Sequence, residues 1–477
     1  MIRPVLLLGA ALSAPALAEP LVIDHVTLID AAHGERRSMQ VIIEGDRITA
    51  VRPASSGGRP EERYLIPGLW DAHVHITESS SMGQLMLNHF LATGITSVRD
   101  TGGLLEPSRA WKEQIAEDPL AYPEVYMAGP LLDGEMAVYD GHSESYPHSS
   151  RSLLSAEEAE QAVDEIAAAG MDFVKAYEMI TPEVFEAIMA GAQRHELAVA
   201  GHIPLAMDAV TVSRQGLDSI EHLRNVEISC SPDERRMIDE RRTWLERPEQ
   251  QFGSDLRMQA HRAHRNRAAQ DHDWQRCVEV LAIHKANGTL HTPTYALMLA
   301  VYEPFHHTAQ WHQTFADFPG PLRLKWQEQS TARKAWADSF VPTMEGLQAY
   351  LAWVKKVIAH LANDSMLMAG TDTPLWLMTP GYSLHKELEA LVTAGLTPLQ
   401  ALEAATLTPA RFFGLEAESG SIAPGQRANL VLLRSNPLED IRNTRDIETV
   451  VRGGKVYDRI ALDALLAQTR EMAWPEP

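Results

Sequence analysis

The fold is decided by one stretch near the start of the chain, Pro67-Gly68-Leu69-Trp70-Asp71-Ala72-His73-Val74-His75. Its apolar residues after a Pro-Gly turn predict a β-strand over residues 69–75. Because residues two apart in a strand point to the same side, His73 and His75 can present their imidazole nitrogens to one metal ion at the strand's carboxyl end. In a chain with 20 histidines such a pair is weak evidence alone. Its significance depends on whether further candidate ligands lie at the ends of other strands.

Seven further short β-rich runs follow this strand, and helical patterns separate them. Such alternation is typical of βα units and of a parallel sheet. The eight predicted strands span residues 69–75, 96–100, 125–128, 173–177, 199–203, 219–223, 289–294 and 366–372. Eight such units predict an α/β fold, a closed (β/α)8 TIM barrel. The 477-residue length accommodates this barrel together with a smaller domain.

Four companions of the histidine pair lie in or at the ends of other predicted strands: Lys175, His202, His222 and Asp372. Catalytic groups of barrels lie where the strands end, so all six side chains should converge on one point. A lysine inside the apolar run 173–177 would be buried, and a buried ammonium is costly unless it is neutralised or paired. The six residues therefore predict a metal centre rather than six unrelated polar positions.

The two ends of the chain predict the smaller domain. Alternating apolar stretches at residues 21–24 and 40–48 are typical of hairpin strands. Similar stretches at residues 429–433 and 450–457 follow the turn at Pro424-Gly425. The sequence thus predicts one discontinuous β-sandwich. Its parts are residues 19–66 and, with a tail, residues 416–477, and the barrel occupies residues 67–415.

The connections on both sides of the seventh strand are about twice the usual size of a βα unit. They predict a helical insert around residues 227–345, which holds five tryptophans: Trp244, Trp274, Trp311, Trp326 and Trp336. A cap over one barrel face and surface helices without a role are both open interpretations. The histidines of the insert are interpreted as mostly surface residues: His261, His264, His272, His306, His307 and His312.

Residues 1–18 predict a Sec signal peptide, with Arg3, an apolar run at residues 5–12 and the small-residue ending Ala16-Leu17-Ala18. Cleavage is expected after Ala18, which indicates a periplasmic or secreted protein, and no membrane span is expected elsewhere. In an oxidising compartment Cys230 and Cys277 could form a disulfide, although their spacing alone does not decide it.

The net charge of -22 opposes binding to phosphate backbones, so no nucleic-acid partner is expected. The arginines at residues 235–242 alternate with acidic residues, which predicts a solvated helix with paired charges. The 45% hydrophobic content is that of a globular protein and excludes a disordered or fibrous chain.

With these six residues in this order, the chain resembles the amidohydrolase superfamily, in particular its imidazolonepropionase-like and prolidase-like branch. The HxH pair, the lysine of strand four, two later histidines and a final aspartate match position by position, and stretches 380–388 and 404–410 also resemble that branch. The resemblance implies two divalent ions, with zinc favoured by the imidazole-rich ligand set. It assigns His73, His75 and Asp372 to one ion, His202 and His222 to the other, and a carbamylated Lys175 as the bridge.

The resemblance also implies hydrolysis of a C–N amide bond, in a dipeptide or an N-acyl amino acid, by a metal-bridging hydroxide. Asp372 would be both ligand and general acid–base. A lactonase or organophosphate esterase is the open alternative, because the same ions activate water toward either centre. Cyclic-amide opening is less expected, since that activity goes with a single-metal site without the lysine. A non-catalytic periplasmic metal- or ligand-binding protein is the hypothesis of another class.

Two histidines are further candidates for substrate contact: His142, on a Gly-containing loop after strand three, and His385, at the start of a helix after strand eight. Ordinary loop polarity and a plain helix-start position are the competing interpretations. Arg99 and Asp100, at the end of strand two, are expected to form a buried ion pair or to position substrate. A small-molecule amide or peptide is the expected partner, and a homo-oligomer is left open.

Overall fold

The computed structural model describes residues 19–55, 62–77, 80–143, 145–302, 305–339 and 344–474. The signal peptide predicted over residues 1–18 lies outside these ranges. The described strands are β1 Leu21–Asp30, β2 Gly34–Glu44, β3 Arg47–Pro53, β4 Tyr64–Pro67, β5 Leu69–Val74, β6 Ile95–Asp100, β7 Glu124–Met127, β8 Leu131–Asp133, β9 Ser150–Ser152, β10 Phe173–Ala176, β11 Ala198–Gly201, β12 Ser219–Glu221, β13 Leu290–Thr292, β14 Leu430–Leu433, β15 Ile447–Arg452 and β16 Lys455–Asp458.

Helices separate and cover these strands. The first group is α1 Ser80–Ala92, α2 Leu105–Glu117, α3 Ala156–Ala168, α4 Pro182–Arg194, α5 Ala209–Arg214, α6 Val226–Ser229, α7 Glu234–Glu246, α8 Gly253–Ala260 and α9 Asn266–Gln270. The second group is α10 Trp274–Asn287, α11 Tyr295–Tyr302, α12 Ala309–Thr314, α13 Gly320–Ser339, α14 Met344–Leu361, α15 Tyr382–Ala394, α16 Pro398–Ala404, α17 Leu407–Phe412 and α18 Arg459–Glu471. Within the described residues, no helix is both long and apolar enough to cross a bilayer.

Two parallel sheets form the centre of the fold, in the orders β5-β6-β7 and β13-β12-β11-β10-β8-β9. Strands β5, β6 and β10 are buried along their whole length, as expected of parallel strands covered by helices. Seven of the eight predicted strands are present, which confirms the predicted α/β class. The two short strands β8 and β9 were not predicted.

The eighth predicted strand, residues 366–372, forms only isolated parallel bridges, Val74 with Thr373 and His291 with Leu367. Backbone hydrogen bonds still connect this segment to β13 on one side and to β5 on the other. It departs from strand geometry at Asp372, which has a φ of 61°. Gly370 packs closely on β5, since a Cβ there would lie 2.8 Å from the Cβ of His73.

Both ends of the chain meet in one seven-stranded sheet, in the order β16-β15-β14-β4-β1-β2-β3. Strand β4 joins the two halves, because it pairs in parallel with β1 and antiparallel with β14. Leu28, Leu65 and Leu430 lie together in a small apolar core on this sheet. The predicted association of the two ends is therefore observed as a single mixed sheet, while a two-layered sandwich and the domain boundaries stay predictions.

Helices fill the connections on both sides of β13, as predicted, but the interpretation of the insert's histidines as mostly surface residues was wrong. His261, His264 and His306 are buried rather than on the surface. The ring of His264, for example, stacks on Trp244 with centroids 5.0 Å apart. The charge pairs predicted for α7 are present, for example between Arg236 and Glu240. Arg241 is buried, however, and its guanidinium donates to Asn225, so α7 is not solvated all round. Helical packing inside the insert covers side chains whose polarity alone suggests exposure.

A disulfide joins Cys230, at the end of α6, to Cys277 in α10. Closing a loop of 47 residues reduces the entropy of the unfolded chain, so we expect the bond to contribute about 2–4 kcal/mol to the free energy of unfolding. Urea unfolding of the wild type with and without reductant measures this contribution. The double variant Cys230→Ala/Cys277→Ala is the control and should not respond to reductant. Alkylation of both thiols without reductant would contradict the bond.

Candidate active site

All six predicted ligand residues line one cavity: His73, His75, Lys175, His202, His222 and Asp372. They come together because β5, β10, β11 and β12 run parallel to their neighbours, which places the carboxyl ends of the strands at one edge. The irregular segment at residues 366–372 brings Asp372 to the same edge, because its backbone is hydrogen-bonded to the backbone of His73. Residues up to 299 positions apart in sequence thus share a single pocket.

Asp372 lies at the centre of this group. Its Oδ1 is 2.8 Å from Nε2 of His75 and 3.3 Å from Nε2 of His73, and its Oδ2 is 3.8 Å from Nε2 of His222. The ligand atoms of His73, His75 and Asp372 are close enough together to hold one metal ion. The rings of His202 and His222 lie beside them, with centroids 5.1 Å apart.

Three of the imidazoles are held through Nδ1 by buried partners that the sequence did not indicate. His73 Nδ1 lies 2.6 Å from Glu221 Oε2, His202 Nδ1 lies 2.7 Å from Glu178 Oε1, and His222 Nδ1 lies 2.6 Å from Thr294 Oγ1. These contacts leave Nε2 as the nitrogen available to a metal, which is how ligating histidines are usually oriented. The sequence held one signal for two of these partners. Glu221, directly before His222, and Glu178, directly after Tyr177, are acidic residues in apolar surroundings.

Lys175 is buried in β10, and among the described residues its Nζ has no hydrogen-bond partner. Burial lowers the pKa of this amine to about 8, while Glu221 acts in the opposite direction. An unpaired ammonium in such a place is unfavourable. The neutral amine is also the form that can react with carbon dioxide to give a carbamate, so the environment fits the modification that the resemblance implies.

The protonation states also suit a metal site. Burial lowers the pKa of His202 to about 3 and holds the pKa of His222 well below its usual value, so both imidazoles are neutral at pH 7. Burial raises the pKa of Asp372, but the neighbouring imidazole of His73 and the hydrogen bonds of His73 and His75 outweigh that effect and keep this pKa well below its usual range. Neutral imidazole and ionised carboxylate are the forms that bind metals.

Arg99 does not pair with Asp100, contrary to the prediction. Its Nη2 donates to Glu221 Oε1 at 2.7 Å, whereas Asp100 accepts hydrogen bonds from the backbone N–H groups of Ile76 and Thr77. Neighbouring residues in a strand point to opposite faces, so the two side chains cannot meet. Arg99 instead supports the carboxylate that orients His73.

Backbone strain is concentrated at this pocket. His222, Thr294, Asp372 and Trp376 all have positive φ angles, of 57°, 46°, 61° and 52°. Each costs about 1–3 kcal/mol in a residue other than glycine and persists only where the surrounding structure enforces it. The fold therefore holds two predicted ligands and two of their neighbours in conformations that the isolated chain would avoid.

His142 does not line the cavity in the structure. Its ring stacks on Phe252, just before α8, with centroids 4.1 Å apart and an interplanar angle of 13°. Its Nδ1 contacts Asp140 on its own loop. The residue thus lies where the third-strand loop meets the insert rather than among the ligand residues.

His385 is buried away from the cavity, which corrects its candidacy as a substrate contact. Its Nε2 lies 3.0 Å from the carbonyl oxygen of Thr93, and its Nδ1 lies 2.9 Å from Thr444 Oγ1. Both ring nitrogens are therefore engaged within the fold. The side chain ties the start of α15 to the segment after α1.

Because His385 is buried, the free energy of unfolding should depend on pH. Burial lowers the pKa of His385 to about 3 in the folded protein, so as pH falls below the usual histidine value the unfolded chain takes up the proton first. Stability is then lost from about pH 6.5 downward, and at pH 5 the loss amounts to about 2 kcal/mol. Urea unfolding at pH 7 and pH 5 should show this extra loss in the wild type but not in His385→Gln. Equal losses in both proteins would contradict the assignment.

Other cavity-lining residues come from several elements and were not predicted. They include Tyr139, Tyr177, Arg224, Arg257, Leu297 and Trp376. Arg257 in α8 and Leu297 in α11 belong to the insert, so the insert does border the pocket. Of the tryptophans expected in a cap, four do not line the pocket: Trp244, Trp274, Trp311 and Trp326. The side chain of Trp336 lies outside the described residues.

Comparison with known proteins identifies the family of the chain. A family model described as the amidohydrolase family matches residues 64–457. The chain belongs to the amidohydrolase family. This membership confirms the resemblance inferred from the ordered ligand pattern, because the matched range contains all six residues of that pattern.

Among curated proteins, the chain is 38% identical over 96 residues to an adenine deaminase of Paracoccus denitrificans, and the match covers 20% of this chain and 14% of that protein. It is 29% identical over 134 residues to the ochratoxinase of Aspergillus niger, which is 27% of this chain and 25% of that protein. The chain thus matches a quarter or less of the length of these relatives.

Solved structures resemble this chain over nearly its whole length. A bottromycin amidohydrolase superposes with a TM-score of 0.67 at 24% identity, covering 95% of this chain and 91% of that one. A Xaa-Pro dipeptidase with bound methionine superposes with a TM-score of 0.64 at 18% identity, covering 92% of this chain and 100% of that one. These likenesses establish a shared fold.

Proposed function

We propose that this amidohydrolase is a metal-dependent hydrolase that cleaves a C–N amide bond in a dipeptide or an N-acyl amino acid. The observation that carries the proposal is Lys175. Its buried Nζ has no hydrogen-bond partner among the described residues, yet it lines the same cavity as four histidines and an aspartate. A structural role does not account for such a lysine, whereas a carbamate ligand between two cations does.

The donor set fits two divalent cations. His73, His75 and Asp372 would hold one, and His202 and His222 the other, with carbamylated Lys175 shared between them. Imidazole-rich sites with few carboxylates suit zinc. When bound, two such ions lower the pKa of water to near neutrality and polarise the substrate carbonyl.

The protein's own residues would transfer the proton of the attacking water and orient the histidine ligands. Asp372 is held ionised and therefore can accept a proton from the attacking water and deliver it to the leaving nitrogen. Glu221 and Glu178 fix the orientation of His73 and His202 through their Nδ1 atoms. Rigidly placed groups of this kind lower the barrier because no reorganisation is needed during the reaction.

We also propose that the two parallel sheets belong to one closed (β/α)8 barrel. The hydrogen bonds of residues 366–373 to β13 and to β5 support closure on one side, and the bond from Asp172 N to Met127 O supports it on the other. An active site at the carboxyl ends of the strands is the usual arrangement in such barrels.

Export to the periplasm or the medium is part of the proposal. The charged, apolar and small-residue regions within residues 1–18 support a cleaved signal peptide. The Cys230–Cys277 disulfide also suits an oxidising compartment. The mass of the mature protein purified from an exporting host should correspond to a chain that begins at Glu19.

Metal removal and reloading test the proposed activity. The purified protein, the chelator-treated protein and the zinc-reloaded protein are assayed on aromatic N-acyl amino acids, aromatic dipeptides, a lactone and a phosphotriester. We expect amide hydrolysis that is lost on chelation, restored by zinc and faster than ester hydrolysis. Metal-dependent turnover of the lactone or phosphotriester alone would contradict the proposal, and so would the absence of metal-dependent amide hydrolysis.

A further inference from the structure

We infer that Arg257 binds a carboxylate of the substrate, so that the favoured amides are those with a free carboxylate close to the scissile bond. This inference rests on the proposed function and adds to it the residue that selects the substrate. Arg257 lies in α8 of the insert, is largely buried, and lines the same cavity as the six candidate ligands.

The guanidinium of Arg257 lines this cavity, and its N–H groups are not all hydrogen-bonded within the described residues. Its Nη1 donates to the hydroxyl of Tyr177 at 3.0 Å. Its Nε is buried and has no hydrogen-bond partner within the part of the chain that the structure describes. A guanidinium carries five N–H donors, and leaving them unpaired in a buried place is unfavourable. Because the guanidinium lines the cavity, the carboxylate of a ligand there would give its N–H groups further acceptors.

The neighbouring carboxylate lies at the outer limit of an ion pair with this guanidinium and is shared with a second guanidinium. Glu178 Oε1 is 4.0 Å from Arg257 Nη1 and also 4.0 Å from Arg224 Nε, both beyond hydrogen-bond distance. The same oxygen lies 2.7 Å from His202 Nδ1. One carboxylate, already engaged with an imidazole, therefore faces two guanidinium groups. This wall of the cavity retains an excess of positive charge, which favours an anionic group of the substrate.

Arg257 is also held in place before any ligand arrives. Its guanidinium carbon lies 5.7 Å from the ring centroid of Tyr139 and 5.8 Å from that of Tyr146. The start of α8 packs closely on the loop that carries these tyrosines, since a Cβ on Gly253 would lie 1.8 Å from the carbonyl oxygen of Met136. A preorganised guanidinium binds a planar carboxylate with less loss of entropy than a mobile one.

A carboxylate could be carried by the leaving amino acid or by the acyl group, and three matched substrates separate these cases. N-acetyl-phenylalanine has the carboxylate on the leaving side, N-succinyl-phenethylamine has it on the acyl side, and N-acetyl-phenethylamine has none. The zinc-loaded full-length protein is assayed on all three. The measured quantity is the ratio of kcat/KM for each carboxylate substrate to kcat/KM for the neutral one.

The wild type should favour one of the two carboxylate substrates. The favoured substrate shows whether Arg257 binds a carboxylate on the leaving side or on the acyl side. Arg257→Met should reduce that ratio roughly 30- to 150-fold, because a hydrogen-bonded ion pair is lost. Arg257→Lys keeps the charge without the planar fork and should give an intermediate ratio. Arg262→Met, on the exposed side of the adjacent turn, is the matched control and should retain the wild-type ratio.

Metal content and the urea midpoint of each variant show whether it is folded. If Arg257→Met does not fold, the kcat/KM ratio of Arg257→Lys is the test of the inference. A wild type that cleaves the neutral amide as well as the acids overturns the inference. An unchanged ratio in the folded Arg257 variants does so as well. A wild type that cleaves none of the three amides and none of the aromatic dipeptides, whatever the metal, contradicts the proposed function instead.

Discussion

Replacing Glu221 with leucine is expected to lower the free energy of unfolding of the metal-free protein by about 3–5 kcal/mol. The Glu221 carboxylate is fully buried and accepts hydrogen bonds from Arg99 Nη2 at 2.7 Å and from Ser219 Oγ at 2.7 Å. Without it, the guanidinium of Arg99 is a buried charge with no counter-ion. Urea unfolding measures the loss.

The double variant Arg99→Met/Glu221→Leu is the matched control for this pair. It removes both charges and replaces them with apolar groups, so it should recover most of the stability lost in Glu221→Leu. His73 nevertheless loses its Nδ1 partner in both variants, so both should bind zinc more weakly than the wild type. A single variant that loses less than about 1 kcal/mol, or a double variant no more stable than the single, would contradict the buried ion pair.

Asp372→Asn should lower kcat/KM for amide hydrolysis by about 10³-fold, because the general acid–base and an anionic ligand are lost together. The fold should be little affected. Asparagine has nearly the same size as aspartate and tolerates the positive φ of 61° at this position better than most residues. Steady-state kinetics and urea unfolding together separate the two effects.

The exposed Asp118, just after α2, provides a control of the same chemistry, and Asp118→Asn should keep the wild-type rate. An Asp372→Asn variant within tenfold of the wild-type rate would rule out Asp372 as the proton carrier. A large loss of stability instead of rate would make its role structural.

The ligand set could be predicted because each member lies in or near a strand end, where local sequence indicates position. The HxH pair, for instance, needs only the period of one strand to place both rings on one side. The irregular segment at residues 366–372 was harder, since its hydrogen bonds depend on how Gly370 packs against β5. Strands β8 and β9 have three residues each, too few for a recognisable pattern.

Contacts between residues far apart in the chain could not be predicted from the sequence. Arg99 pairs with a residue 122 positions away rather than with its neighbour, and His385 contacts Thr444, 59 positions along the chain. The role inferred for Arg257 depends in the same way on Tyr177, 80 positions away. Composition indicates that such side chains are polar, but only tertiary packing decides whether they are buried and what they face.

The metal content of the wild type and of Lys175→Ala, measured by plasma emission with amide hydrolysis assayed in parallel, tests the central claim most directly. The account predicts about two divalent ions per wild-type chain, with one or both lost from the variant together with its activity. One ion or none in the wild type, with content and rate unchanged in Lys175→Ala, would contradict the bridged two-metal site.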